Sequence, residues 1–319
     1  MRDRLAAVVV AVPFGLGLLA APTTADDVAF RFADRDITES SDFVVDGDLA
    51  YTTNDSGDSG RVFTVSLTTG ETVGVTQWED DPTDVEALAP AGPGEVWVGD
   101  IGDNQAKRRD VGVTRVPVGR GERTWSGTTY QLTYPDGPAD AETLLCDPAT
   151  GRLYVVTKEV FAGNVYAAPA RLSAIGPNVM TRIGVAPGIA TDGAFLPDGR
   201  HVVIRSYQGA VVYTWPALEQ VGSFALPDQQ QGEGIAVAAD DTLWLSSEGV
   251  HSPVLHVRLP ADVRRELDHS SASQSASPTP APQPPGEPDV TSHETWPWLL
   301  GGLVMLGAVV VLVRSLRPR

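Results

Sequence analysis

The stretch Glu142-Thr-Leu-Leu-Cys-Asp-Pro-Ala-Thr-Gly-Arg-Leu-Tyr-Val-Val156 decides the fold, because the chain repeats it. Two short apolar runs flank a turn built on Asp-Pro and Thr-Gly, which is the chemistry of a β-hairpin. A second copy reads Asp192-Gly-Ala-Phe-Leu-Pro-Asp-Gly-Arg-His-Val-Val-Ile204. Others are Glu86-Ala-Leu-Ala with Gly94-Glu-Val-Trp-Val, Glu233-Gly-Ile-Ala-Val with Asp241-Thr-Leu-Trp-Leu, and the looser Asp42-Phe-Val-Val-Asp-Gly-Asp-Leu-Ala-Tyr51. The copies begin at 42, 86, 142, 192 and 233, so they are 44, 56, 50 and 41 residues apart. Blade repeats of propellers have about this period, roughly 40–50 residues.

Two further strands are predicted after each hairpin: 61–67 and 71–78, 111–118 and 124–134, 164–168 and 180–185, and 210–215 and 220–226. The fifth hairpin is followed only by 254–259. Residues 28–37 can supply its missing strand, joining the two ends of the body and removing an open edge. The expected fold is therefore all-β, a five-bladed β-propeller of four-stranded antiparallel blades closed by the N-terminal strand. A β-sandwich is the alternative, but it would not require such a period.

The ends lie outside this body. Residues 1–25 read as a secretory signal: Arg2 and Arg4, an apolar run over 5–21, then Thr23-Thr24-Ala25. An uncleaved anchor is the competing reading. Residues 296–313 open with Trp296-Pro-Trp298 and continue without charge from Leu299, about 27 Å as a helix against a ~30 Å hydrocarbon core. Arg314, Arg317 and Arg319 place the tail, 314–319, on the cytoplasmic side. Residues 263–295 include a Ser- and Pro-rich tract that reads as a disordered stalk. The propeller, 26–262, is thus expected outside the cell membrane on a single-pass helix.

Residues 26–290 hold 39 acids and 18 bases, about −21 net. Such a charge argues against nucleic acid and anionic lipid and is compatible with a cation or a cationic partner, or with solubility alone. Cys146 is the single cysteine, so no internal disulfide forms, and it reads as a small core residue. Gly57-Asp58-Ser59-Gly60 resembles a serine-protease nucleophile segment, but no His stands in a matching one. The histidines lack zinc spacing, and no Walker loop, dinucleotide fingerprint or nucleophile elbow occurs. Trp97, Tyr154 and Trp244 recur in second strands and read as packing between blades.

The copies share one chemical feature. Each first strand opens on an acid: Asp42, Glu86, Glu142, Asp192 and Glu233, with Asp84 and Asp140 two residues earlier in two of them. First strands line a propeller's channel, so five carboxylates are expected around one mouth. They cannot all ionise unpaired; protons or cations must intervene. Ca²⁺ suits such a set, and Lys158 and Arg205 follow second strands at the same face. Asp100, Asp103 and Asn104 are the metal-ligand candidates in the loops, and Ser247-Glu248 rises beside them. The competing reading is that the acids bond backbone N–H groups at strand starts.

The segments Asp84-Val-Glu86-Ala-Leu, Gly99-Asp-Ile-Gly-Asp-Asn104 and Gly232-Glu-Gly-Ile-Ala236 resemble those of bacterial phytase-like exported propellers. The resemblance implies an acidic, Ca²⁺-binding face. Phytases of that group have six blades and several basic residues that hold phosphate; here five blades are counted, and Lys158 and Arg205 are the well-placed bases. Two functions follow as expectations. One is a tethered propeller whose cation recruits a ligand or an envelope partner. The other is a metal-dependent phosphoester or ester hydrolase, with ring carboxylates as ligands or base and Lys158 or Arg205 steadying the oxyanion.

Overall fold

The computed structural model describes residues 28–55, 57–78 and 82–275. The expected signal, membrane span and cytoplasmic tail lie outside them, and among the described residues no helix is long and apolar enough to cross a membrane.

Strand β1 (Val28–Arg31) comes first and is used last. Blade one is β2 (Val44–Asp46), β3 (Leu49–Thr52), β4 (Arg61–Ser66) and β5 (Thr72–Trp78). Blade two starts with β6 (Val85–Pro90), β7 (Glu95–Asp100) and β8 (Asp110–Pro117). The chain then steps back: β9 (Gly121–Trp125) pairs in parallel with β5, before β10 (Thr129–Thr133) completes blade two. Blade three is β11 (Ala141–Cys146), β12 (Leu153–Thr157) and β13 (Ala162–Ala167). Its outer strand, β15 (Thr181–Pro187), follows a short β14 (Asn178–Val179) that adds in parallel to β10. Blade four is β16 (Asp192–Phe195), β17 (His201–Arg205), β18 (Gly209–Thr214) and β19 (Gln220–Ala225). Blade five is β20 (Gly232–Val237), β21 (Thr242–Ser247) and β22 (Pro253–Arg258), closed by β1.

The five blades and the N-terminal closure agree with the repeat. Two expectations are corrected. The single strand expected over 124–134 is two: its first residues cap blade one, and only its later ones belong to blade two. The stalk does not begin at 263. Helix α1 (Ala261–Ser275) follows blade five and buries Val263, with Leu267 packed against the same apolar cluster as Phe224 of β19.

Five apolar clusters hold the ring, one between each pair of neighbouring blades. Strand alternation makes this possible. In β17, Val202 and Ile204 face blade three, whereas Val203 faces blade five. The expected inter-blade aromatics sit in these seams: Trp97 against Tyr130 at 6.0 Å, Tyr154 against Trp215 at 4.6 Å, and Trp244 against Phe30 at 6.3 Å. Trp78 and Trp125 face each other across the β5–β9 pair.

Candidate functional site: an acidic channel mouth

The inner strands β2, β6, β11, β16 and β20 neighbour one another in a ring; Glu86, Glu142 and Glu233 are the second residues of theirs, Asp192 is the first, and Asp42 stands two residues before β2. All five are buried: Asp42 0%, Glu86 3%, Glu142 5%, Asp192 1% and Glu233 4% exposed.

Two placements occur. The strand register slips at Val85/Ala87, Ala141/Thr143 and Gly232/Ile235, so Glu86, Glu142 and Glu233 each sit in a β-bulge. A bulge adds a residue on one strand and re-aims its side chain. The two aspartates are held by backbone instead. Asp42 accepts Thr53 N–H at 3.1 Å and Thr53 Oγ1–H at 2.6 Å. Asp192 accepts Gly193 N–H at 2.7 Å and, across to blade five, Ile235 N–H at 2.7 Å. For these two, the backbone-bonding role weighed from the sequence is part of the geometry.

Burial dominates their acidity. It lifts Asp42 to about 7 against the Thr53 bonds, and lifts Asp192 well above the carboxylate range, with Asp42 adding repulsion. Glu86 rises to about 11 through burial, then through Asp55 and Glu142, although Ser41 Oγ donates to it at 2.9 Å. Burial raises Glu142 to about 8 despite its ion pair with Lys158, and raises Glu233 as well. Replacing Thr53 with Val should lift Asp42 further above about 7. Carboxylate titration by NMR reads the shift; an unchanged or lower value would mean that the Thr53 bonds do not hold the anion.

Lys158 and Arg205 serve one side of the ring. Burial pulls Lys158 down, but Glu142 and Tyr207 more than offset this; its ammonium also lies 5.1 Å over the Tyr207 ring. Arg205 is fully buried, donates to the Gly234 carbonyl at 2.8 Å and to Gln229 at 3.3 Å, and is lowered to about 10 by burial. A Cβ on Gly232 would come within 2.3 Å of this guanidinium, which explains the glycine beside Glu233. Gln231 donates to Glu248 at 2.6 Å and reaches Glu233 at 3.4 Å; burial and Glu233 lift Glu248 to about 7.

The other side gathers acids. Asp55, Asp84 and Glu86 each offer an oxygen within 4.8 Å of the others, the one such acidic triad among the described residues. Asp84 Oδ1 is buried without a hydrogen-bond partner. Burial, then Asp55 and Asp140, lift Asp84 to about 6, with Arg108 opposing. Gly102 leaves the room: a Cβ there would lie 2.5 Å from Asp84 Oδ2. A recess of about 10 Å³ lies beside Asp55 and Asp84. That is room for about one water or one ion.

Asp55, set among Asn54, Gly57 and Asp58, has the sequence setting of a solvated turn residue, yet it lies with Asp84 and Glu86 and its charge reaches Asp84, Glu86, Glu233 and Glu248. Its place after the second strand of blade one, matching Lys158 and Arg205, was the signal available. The loop candidates are placed otherwise. Asp100 accepts N–H from Thr83 at 3.1 Å and Asp84 at 2.9 Å and pairs with Arg108 at 2.8 Å. Asp103 accepts Arg108 N–H at 2.6 Å, Asp140 accepts Asp103 N–H at 2.8 Å, and Asn104 is exposed. This network shapes the loop that carries Gly102.

Fold and site define a class: a five-bladed β-propeller with buried acids at one channel mouth. Comparison with known proteins adds two likenesses of shape. A chain of the mitotic checkpoint complex is 11% identical, with TM-score 0.37, covering 68% of this chain and 63% of its own length. A gluconolactonase of Xanthomonas campestris is 13% identical, with TM-score 0.41, covering 76% of this chain and 85% of its own. No protein-family model matches the chain. No curated protein matches it either.

Proposed function

We propose that this protein is an exported propeller, tethered to the cell membrane by its C-terminal segment, whose channel mouth binds a divalent cation. Ca²⁺ is the ion, and Asp55, Asp84 and Glu86 are its ligands. The bound cation recruits a ligand or a cell-envelope partner. One observation carries this: three carboxylates within 4.8 Å of one another, one with a buried oxygen lacking a partner. Hard oxygen donors at this density suit Ca²⁺, which takes six to eight oxygens. The likeness of Asp84-Val-Glu86-Ala-Leu to phytase-like segments implies the same kind of face.

Binding is favoured over hydrolysis by the state of the bases. Lys158 is engaged by Glu142, and Arg205 is fully buried on Gly234 and Gln229. Neither is free to hold a phosphoryl group or an oxyanion.

The test is a thermal melt of the full chain in EDTA, then in excess Ca²⁺. At a hundred times Kd the gain should be about 2.7 kcal/mol, roughly 5–10 °C for a domain of this size. Asp84→Asn and Glu86→Gln should abolish the shift. Protons held by Glu86, at about 11, must leave as the ion enters, so affinity should rise with pH. An unmoved melt would remove the cation. Chelator-sensitive release of a product from phosphate or carboxylic esters would replace binding with hydrolysis.

A further inference from the structure

The opposite mouth of the channel has a different chemistry. A cavity of about 460 Å³ opens there, floored by the later residues of the inner strands and rimmed by hairpin turns such as Ala91-Gly92 and Pro148. Every blade contributes: Val44, Leu88, Leu144, Ala194, Phe195 and Val237 line it. The acid at each strand start and these apolar residues farther along the same strand divide the channel into a charged end and a greasy end.

Among the described residues, Asp147 is the one charged side chain in the lining, and its oxygens are engaged. Oδ1 accepts N–H from Ala149 at 2.8 Å and Thr150 at 3.2 Å, and Oδ2 faces Trp215 Nε1 at 3.3 Å. Water in such a space finds few partners, so an apolar occupant displaces it at little cost. The volume falls within the ~300–1,000 Å³ of small-molecule sites. The walls are paired strands of five blades, so the cavity is formed before anything enters.

We propose that this funnel is a binding site for an uncharged, largely apolar small molecule, of aromatic or short aliphatic character. Size selects a small molecule over a protein segment. Charge selects a neutral one: among the described residues the lining offers no base to an anion, which the net charge of −18 also opposes, and its carboxylate, Asp147, is already engaged by Ala149, Thr150 and Trp215 rather than turned to a cation.

Cys146 lies in the wall, is partly exposed and is the only cysteine, so its modification reports on the funnel alone. The experiment follows the rate at which N-ethylmaleimide modifies the full chain, with 1-naphthol or naphthalene-1-sulfonate as probe. 1-Naphthol should slow the reaction saturably, by about tenfold at ten times its Kd. The sulfonate, with the same rings and a negative charge, should leave the rate unchanged. Ala194→Leu, and separately Val237→Phe, narrow the funnel and should weaken protection by 1-naphthol; circular dichroism verifies that each folds. The proposal is overturned if 1-naphthol gives no saturable protection, if the sulfonate protects equally, or if both folded variants protect as the parent does. Glu86→Gln at the far mouth should not alter the result, which separates this site from the cation.

Discussion

In EDTA the protein should lose stability as the pH rises from 3.8, the ordinary value for Asp42, through about 8, the value for buried Glu142. That is the reverse of acid denaturation. Below 3.8 Asp42 is protonated folded or unfolded, and its burial carries no charge penalty. Above that, the unfolded chain releases the proton while the native state keeps it until about 7. Each pH unit in this window costs the native state about 1.4 kcal/mol, so Asp42 alone removes on the order of 4 kcal/mol by neutral pH. Glu142 acts in the same direction up to about 8, and Glu86 up to about 11. Losses of this size approach the whole net stability of a domain, roughly 5–15 kcal/mol. Asp198 and Asp240 oppose the trend, because their depressed values withdraw stability as pH falls, but both are partly or wholly exposed and weigh little. The raised value of Lys158 withdraws stability only at pH above this window. Urea denaturation at pH 5 and pH 8 in EDTA should show the lower midpoint at pH 8. Asp42→Asn, which keeps an acceptor for Thr53, should remove only Asp42's share of the slope, below about 7, and leave that of Glu142 and Glu86. A midpoint that rises between the two values would mean that the acids are solvated rather than buried.

The same physics explains what could be read from the chain. The five-fold count was legible because inner and second strands are buried on both faces and bounded by turn residues, so each copy carries the same dense signal from Glu142 to Val156 or Asp192 to Ile204. The acid at each strand start was legible because a period aligns equivalent positions. The outer strands were not. β9 reads exposed or half-exposed along its whole length, so nothing in its pattern says that it caps blade one rather than blade two. The close approach of its backbone to Gly74 does; a Cβ there would stand 2.8 Å from the N and O of Gly121. Helix α1 hides its anchors, Val263 and Leu267, within a run of charged and polar residues. At the site, Asp100 and Asp103 carry the residue types of ligands, and it takes the Thr83, Asp84 and Arg108 N–H groups to show them bracing a loop. Asp55 was obscured for the opposite reason: an acid among Asn54, Gly57 and Asp58 looks like any solvated turn.

Replacing Arg205 should destabilise the protein more than any other single change at the mouth. Its side chain is completely buried, yet it is not in ion-pair contact with a carboxylate among the described residues. It donates to the Gly234 carbonyl and Gln229, and acts through space on Glu233 and Asp192. Arg205→Ala therefore does three things. It leaves the Gly234 carbonyl short of a donor, opens a void where blades four and five meet the channel, and strips two buried acids of their positive neighbour. Removing one side of a buried charge arrangement costs about 3–5 kcal/mol. Arg205→Met keeps the stem and separates packing from charge; it should recover part of the loss, whereas the remainder is electrostatic. That remainder should depend on pH in a defined sense. The raised value of Asp192 favours its protonated form as pH falls, so less charge is left uncompensated and the variant should suffer less at the lower pH. As pH rises and the acids ionise, the deficit should grow. Glu233→Gln in the Arg205→Met background should then restore stability at pH 8 beyond what the single changes add up to, the mark of coupled neighbours. Strict additivity in that cycle, or a deficit equal at pH 5 and pH 8, would mean that Arg205 holds the seam by packing and hydrogen bonding alone and that the acids of blades four and five neutralise themselves with protons. In that case only the Asp55 side of the mouth would have reason to take up a cation, and Ca²⁺ should rescue the Arg205 variants no better than it stabilises the parent.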